Sequence, residues 1–397
     1  MALKDFKILF DNPWSTYYSG QTVTGRILLL LDRPKKLRGI NVKAKGVANT
    51  CWSSDKQELN NEGRYENETQ TVTGHEEYFN IQYYVLGSFA GSEIELPAGE
   101  HKYQFSVTLP PDLPSSFESD FGHVRYTVKA ILDRPWKFDQ ETKVAFTVVS
   151  SFDLNQEPKA SEPIQEEMSK TFCCLCCGSQ PLTVKVSIPI RGYVPGQRIP
   201  IRVNLENHSN VVVDTMKFIL LKMVTFHADT PRTESKSEEL VVVEIAKGPV
   251  RAGDNAMYEQ ELEVPPLPPS NLSNCRIIDL EYNLKMEACV SGWYHRNLKK
   301  NILVFIGTVP LLNYQGSTVG YPSISPSAPK APSSSEAHIL PPLQPMAHLY
   351  PSLPPPSYED SVYSVKSLRE RDESEYIFGL RSHFAPKYPV YTFTPQQ

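Results

Sequence analysis

The sequence has no long apolar run. Its longest, Phe172 to Cys177, is six residues, against the roughly 20 that a membrane-spanning helix requires. Lys4, Asp5 and Lys7 stand where a secretory leader would place its apolar stretch, and Ala2 stands where N-myristoylation needs glycine, so the reading is a cytoplasmic protein. Charge of one sign is also missing. Forty Lys and Arg face forty-five Asp and Glu, a formal charge of −5, without the basic field that nucleic-acid binding uses. Cysteines are few and unevenly spread: four of the seven fall between positions 173 and 177, which does not make the framework of a disulfide-stapled secreted domain. The thiols are expected to stay reduced, and the N-x-[ST] triplets at Asn67 and Asn207 are expected to carry no glycan. Catalytic signatures are absent too. There is no Gly-rich phosphate loop and no His-Glu-x-x-His helix, and the nine histidines are scattered. Gly87-Ser88-Phe89-Ala90-Gly91 has the letters of a nucleophile elbow but no helical pattern after it to hold the serine at a strand-to-helix turn. These absences favour a binding protein over an enzyme and imply no cofactor.

What is present is alternation. Apolar residues on every second position mark half-buried strands at Ile40–Ala44, Tyr103–Leu109, Val124–Leu132 and Val144–Val148, and again at Leu182–Ile188, Ile199–Leu205, Ile278–Ala288 and Ile302–Ile306. Helical spacing is nearly absent. The two sets also resemble each other. Tyr17, Gly20, Gln21 and Val23 share their spacing with Tyr193, Gly196, Gln197 and Ile199; Leu109-Pro110-Pro111 matches Val264-Pro265-Pro266; and Tyr126 to Lys129 matches Tyr282 to Lys285. The chain therefore reads as a duplication. About 20 extra residues lie between Gly20 and Pro110 of the first copy, most naturally in the polar stretch Ser53 to Glu77. The repeated glycines suggest a turn that needs positive φ. The expected fold is all-β, two tandem immunoglobulin-like sandwiches over residues 1–150 and 181–312, with a linker at 151–180. After Pro310 the composition changes: 14 of the 34 prolines fall in residues 313–397, so this tail is expected to be disordered and to act through short linear peptides.

Pro355-Pro356-Ser357-Tyr358 has the form PPxY. Its prolines hold polyproline II at little entropy cost and lie across an aromatic groove while the tyrosine fills a second pocket, the way WW domains take such peptides. Ala385-Pro386-Lys387-Tyr388 is a weaker copy without the first proline, which leaves Pro386 and Tyr388 as secondary WW-binding candidates. Pro326-Ser327-Ala328-Pro329 matches the P-[ST]-A-P peptide recognised by the ubiquitin-binding subunit of ESCRT-I, and Leu349-Tyr350-Pro351-Ser352-Leu353 matches the LYPxL peptide of Bro1-domain ESCRT accessory proteins. Three readings stand for Cys173, Cys174, Cys176 and Cys177: a crowded zinc half site, S-acylation giving peripheral membrane association, or an apolar strand start packed in the seam between the domains.

Two such sandwiches followed by a PPxY tail resemble the α-arrestins, or arrestin domain-containing proteins. The residues that carry the likeness are Phe117-Glu118, Gly122 to Ala130 and Arg134-Pro135-Trp136 in the first copy. In the second they are Thr171 to Cys174, Gly192 to Gln197, Glu281 to Leu284 and Ile306 to Leu311. The resemblance implies a non-enzymatic adaptor whose arrestin-like domains select membrane cargo while Pro355, Pro356 and Tyr358 recruit a HECT-type ubiquitin ligase. Cargo is then ubiquitinated, endocytosed and sorted to lysosomes, with the protein recruited to plasma membrane and endosomes. The alternative keeps the fold and makes the protein a retromer-like or ESCRT-linked endosomal scaffold that recruits no ligase. Lys4, Lys7, Lys35, Lys36, Arg38, Lys43 and Lys45 make the N-terminal strands basic, either as a phosphate-reading patch or as a solvated sheet face.

Overall fold

A computed structural model describes residues 3–59, 65–134, 138–174 and 177–312, together with 368, 369, 373, 377–379 and 384–391 of the tail. The first unit consists of β1 (Leu3–Phe10), β2 (Thr16–Tyr18), β3 (Thr22–Leu31), β4 (Gly39–Leu59), β5 (Tyr65–Gly87), β6 (Gly99–Thr108), β7 (Gly122–Asp133) and β8 (Gln140–Val149). One sheet has the order β1-β3-β6; the facing sheet runs β2-β8-β7-β4-β5, with a short strand Phe117–Glu118 added on β7. The second unit consists of β9 (Ile164–Lys170), β10 (Leu182–Ile188), β11 (Gly192–Tyr193), β12 (Arg198–Asn207), β13 (Val213–Ala228), β14 (Glu234–Lys247), β15 (Asn255–Glu263), β16 (Ile278–Val290) and β17 (Leu298–Ile306). Its sheets are β9-β10-β12-β15 and β11-β17-β16-β13-β14. The described residues also form two small antiparallel pairs, Lys35–Leu37 with Ile94–Leu96 and Cys173–Cys174 with Cys177–Gly178, and two single-turn 3₁₀ helices, Leu154–Gln156 and Pro158–Ser161.

The duplication read from sequence repeats down to single hydrogen bonds. The side chain of Gln21 accepts from the Tyr18 N–H at 2.9 Å, and that of Gln197 accepts from the Val194 N–H at 3.2 Å. Gly20 and Gly196 sit between these partners at φ +82° and +87°, a conformation that costs a residue with a Cβ. Tyr126 and Tyr282 are fully buried, and their hydroxyls donate to the Pro114 and Pro268 carbonyls at 2.6 and 2.8 Å. A buried phenol needs such a partner to offset its lost hydration. Both copies also lay a short parallel strand on the last strand of the sandwich, β2 on β8 and β11 on β17.

The extra residues of the first copy lie in the polar stretch Ser53 to Glu77, where they lengthen the β4–β5 hairpin until its far half reaches the second sandwich. There the Thr50 hydroxyl donates to the His227 carbonyl at 2.6 Å, the Trp52 indole to Glu234 at 3.2 Å, and the Arg276 guanidinium to the buried Glu76 at 2.6 Å. Phe121 meets Phe226 edge-on at 5.8 Å. The linker, in turn, contains β9, which pairs with β10 from Ile164↔Ile188 to Lys170↔Leu182 and so belongs to the second sandwich. Alternation in Ile164, Glu166, Met168 and Lys170 mixes apolar with charged residues, as an edge strand does, and this weakened the signal.

Candidate functional site

The described part of the tail lies on the body. β2 covers only the Thr147–Val149 end of β8, which leaves an open strand edge at Glu141–Lys143. Phe378 takes that edge: its N–H donates to the Glu141 carbonyl and its carbonyl accepts from the Lys143 N–H, both at 2.9 Å. On the outer face of the same sheet Lys129 and Lys143 are directly opposite on β7 and β8, a like-charge pair that destabilises a sheet unless an acid intervenes. Glu373 supplies the acid, 2.5 Å from the Lys129 ammonium and 3.0 Å from that of Lys143. Burial opposes the charge on Lys129, but Glu373 and Glu141 outweigh it and raise its pKa. Leu368 and Ile377 bury themselves against Ala145 beside this cluster.

Farther along, the Lys387 N–H donates to the Thr147 hydroxyl at 3.1 Å, and Tyr388, 5 % exposed, donates its hydroxyl to the Ser116 carbonyl at 2.8 Å. Tyr391 then crosses to the second sandwich, its N–H on the Pro195 carbonyl at 3.0 Å and its hydroxyl on the Thr308 carbonyl at 2.6 Å. The sequence expected disorder here and a WW-binding peptide at Pro386 and Tyr388. In the structure Ala385, Pro386 and Tyr388 are buried, because the segment's apolar and aromatic side chains find a seam they fit. In this arrangement Tyr388 cannot enter a WW domain. Pro355, Pro356 and Tyr358, Pro326 to Pro329, and Leu349 to Leu353 lie outside the described residues.

The basic N-terminal residues do not converge. Lys7 pairs with Asp5, Lys36 with Glu93, Arg38 with Asp133 and Lys45 with Glu77. Beside the docked tail, however, a groove of about 470 Å³ carries Lys45, His75, His123, Arg125, Lys143 and Arg369. Within it, Arg125 grips the buried Glu118 through two bonds of 2.5 and 2.7 Å. The cysteine segment forms a hairpin, Cys173–Cys174 against Cys177–Gly178, whose tip lies outside the described residues. The hairpin is not in the interdomain seam. Phe172 packs on His295 at 5.0 Å and the Lys170 ammonium donates to the Arg296 carbonyl, which places it by the β16–β17 turn. That is the end of β16 opposite the one whose neighbour, His227, meets the first sandwich.

One chain of side chains has the letters of a hydrolytic triad: Ser235, His227 and Asp279, with contacts of 2.8 and 2.7 Å. They face outward from three adjacent strands, β14, β13 and β16, and strand N–H groups lie in the plane of the sheet rather than converging above its face, so the arrangement does not build an oxyanion hole.

Two sandwiches of matching topology in tandem, locked by a long hairpin of the first, are the arrangement of an arrestin-type protein. The family model for the N-terminal domain of arrestin (or S-antigen) matches residues 6–155, and that for the C-terminal domain matches residues 178–311. Arrestin domain-containing protein 17 of Caenorhabditis elegans is 31% identical over an alignment covering 99% of this chain and 100% of that protein. Arrestin domain-containing protein 4 of Mus musculus is 28% identical, covering 78% and 72%, and arrestin domain-containing protein 1 of Rattus norvegicus is 27% identical, covering 84% and 72%. The chain belongs to the α-arrestins, the arrestin domain-containing family, and its place there is that of an adaptor in protein trafficking.

Proposed function

We propose that this chain links membrane cargo to a WW-domain HECT-type ubiquitin ligase and so promotes cargo ubiquitination, endocytosis and lysosomal sorting. The observation that carries the reading is the pairing of an arrestin-type body with Pro355-Pro356-Ser357-Tyr358 in a proline-rich tail. The body offers surface for a client, including the cationic groove beside β7 and β8. The tail offers a peptide of WW-ligand chemistry on a tether that raises the local concentration of ligase near the client. Pro326 to Pro329 and Leu349 to Leu353 serve in this reading as ESCRT-type peptides for later sorting.

The protein acts in the cytoplasm and is recruited to plasma membrane and endosomes. Acylation of Cys173, Cys174, Cys176 or Cys177 would assist, since their hairpin adjoins a turn that exposes Trp293 and Tyr294, 97 % and 64 % accessible, residues suited to a bilayer interface. The test is the full-length chain with Tyr358→Ala. Ligase co-precipitation and cargo ubiquitination are expected to fall to background while the fold is unchanged. Full ligase capture by that variant would overturn the proposal.

A further inference from the structure

We propose that the seam between the two sandwiches is a binding cleft for a short Tyr-Pro-x-Tyr peptide, filled in cis by Tyr388-Pro389-Val390-Tyr391. Its walls come from both units: Tyr18 and Val149 from the first, Pro195, Leu267 and Pro269 from the second. The peptide fits closely, leaving about 20 Å³ unfilled, on the order of one water. The polar contacts are directional as well. Backbone carbonyls of Ser116 and Thr308 accept from the two tyrosine hydroxyls, and the Pro195 carbonyl accepts from the Tyr391 N–H. Pro389 brings no N–H into the seam, so the seated segment carries one donor fewer that needs a partner. Gly196 completes the cleft. A Cβ there would overlap the Tyr391 carbonyl, so the turn that positive φ requires also makes room for the peptide.

The chemistry sets the specificity. Because the cleft presents acceptors to both phenols, it selects free tyrosine hydroxyls. Phenylalanine would leave the facing carbonyl without its donor, and phosphotyrosine would set oxyanions against carbonyl oxygens in a space with no room for them. Phe378 on the β8 edge and Glu373 between Lys129 and Lys143 hold the tail next to the cleft, which gives the cis segment a high effective concentration over a free peptide. A seated tail also spans both units and ties them together. Where the ligase reading holds, it further takes Tyr388 out of competition for the WW domain; the cleft itself does not depend on that reading.

The experiment uses the full-length chain and a fluorescein-labelled peptide of residues 384–397, followed by polarisation. The Tyr388→Ala/Tyr391→Ala chain, with its own tail unseated, is expected to bind the peptide at least tenfold more tightly than the wild-type chain does. A peptide carrying Tyr388→Phe should bind that variant several-fold more weakly, and one phosphorylated at Tyr388 should not bind. Equal binding by both chains, no binding by the variant, or unchanged binding of the phosphorylated peptide would overturn the cleft. Hydrogen exchange on the unaltered chain guards against a variant that misfolds. The Phe378, Lys143 and Tyr391 amides should be protected relative to the same residues in an unfolded reference, and exchange of segment 377–391 at free-peptide rates would refute the proposal. Neither readout involves a ligase, so failure here is distinguishable from failure of Tyr358→Ala to lose ligase.

Discussion

Lys222 sits in the middle of β13 with its side chain fully buried, its ammonium 5.3 Å from the centroid of the Phe117 ring of the other sandwich. Burial pushes its pKa down from 10.5 to about 8, with the Glu238 charge opposing. At about 1.4 kcal/mol for each tenfold change, that fall corresponds to about 3 kcal/mol of cost for carrying the proton in the folded state. Below pH 8 both folded and unfolded chains are protonated and the cost is complete. Between pH 8 and 10.5 the unfolded chain holds more protons, so stability rises with pH through this window, and above it the cost is gone. Lys222→Met keeps much of the volume and removes the charge, at the loss of a cation–π contact of about 0.5–2 kcal/mol. The variant should therefore be more stable than the parent by about 1–2 kcal/mol at pH 7, with the gap closing by pH 10. Urea midpoints of both chains at pH 7, 8.5 and 10 measure this. A gap that does not change with pH, or a variant less stable at pH 7, would refute the reasoning.

The buried Arg125–Glu118 fork is a second test of charge in the fold. Arg125→Met removes the guanidinium that grips the buried Glu118 carboxylate through two bonds and should cost about 3–5 kcal/mol, whereas Arg125→Met with Glu118→Met should recover most of it; a thermal-unfolding cycle that shows no coupling rejects this. Tyr126→Phe and Tyr282→Phe each remove a buried donor to a proline carbonyl and should each lower stability by about 1–2 kcal/mol, read from denaturant midpoints. Gly25→Ala would bring a Cβ within 2.5 Å of the Leu9 carbonyl and 2.6 Å of the Phe105 ring, while the nearest atom to one on Gly20 is 3.7 Å away. Gly25→Ala should thus cost more than the roughly 1 kcal/mol expected for Gly20→Ala from its positive φ alone. Equal melting temperatures for the two variants would show that the close approach at Gly25 relaxes without cost.

The sandwiches were legible because alternation is local. Val124 to Leu132 states its apolar face and Ile278 to Ala288 both its buried and its wetter face within a dozen residues, and the repeated Gln21 and Gln197 turns announce the shared topology. β9 was hidden because an edge strand is selected as much against wrong pairing as for burial. The docking of the hairpin onto the second sandwich rests on pairs more than 150 residues apart, such as Thr50 with His227, and no spacing rule reports these. Lys129 opposite Lys143 was the available clue that something acidic covers that face, but it becomes readable only once the strand register is known.

The tail shows where motif reading reaches its limit. Pro386 and Tyr388 have the chemistry of a WW ligand, a stiff proline followed by an aromatic donor, and that chemistry suits any groove with apolar walls and carbonyl acceptors. The seam between the sandwiches is such a groove, and Phe378 and Glu373 fasten the chain beside it. A WW domain must arrive at its cellular concentration, whereas the seam is always within reach of the tether, so even a modest fit wins locally. The letters define the set of grooves a peptide can enter; tether length and the strand edge it first meets decide which one it occupies.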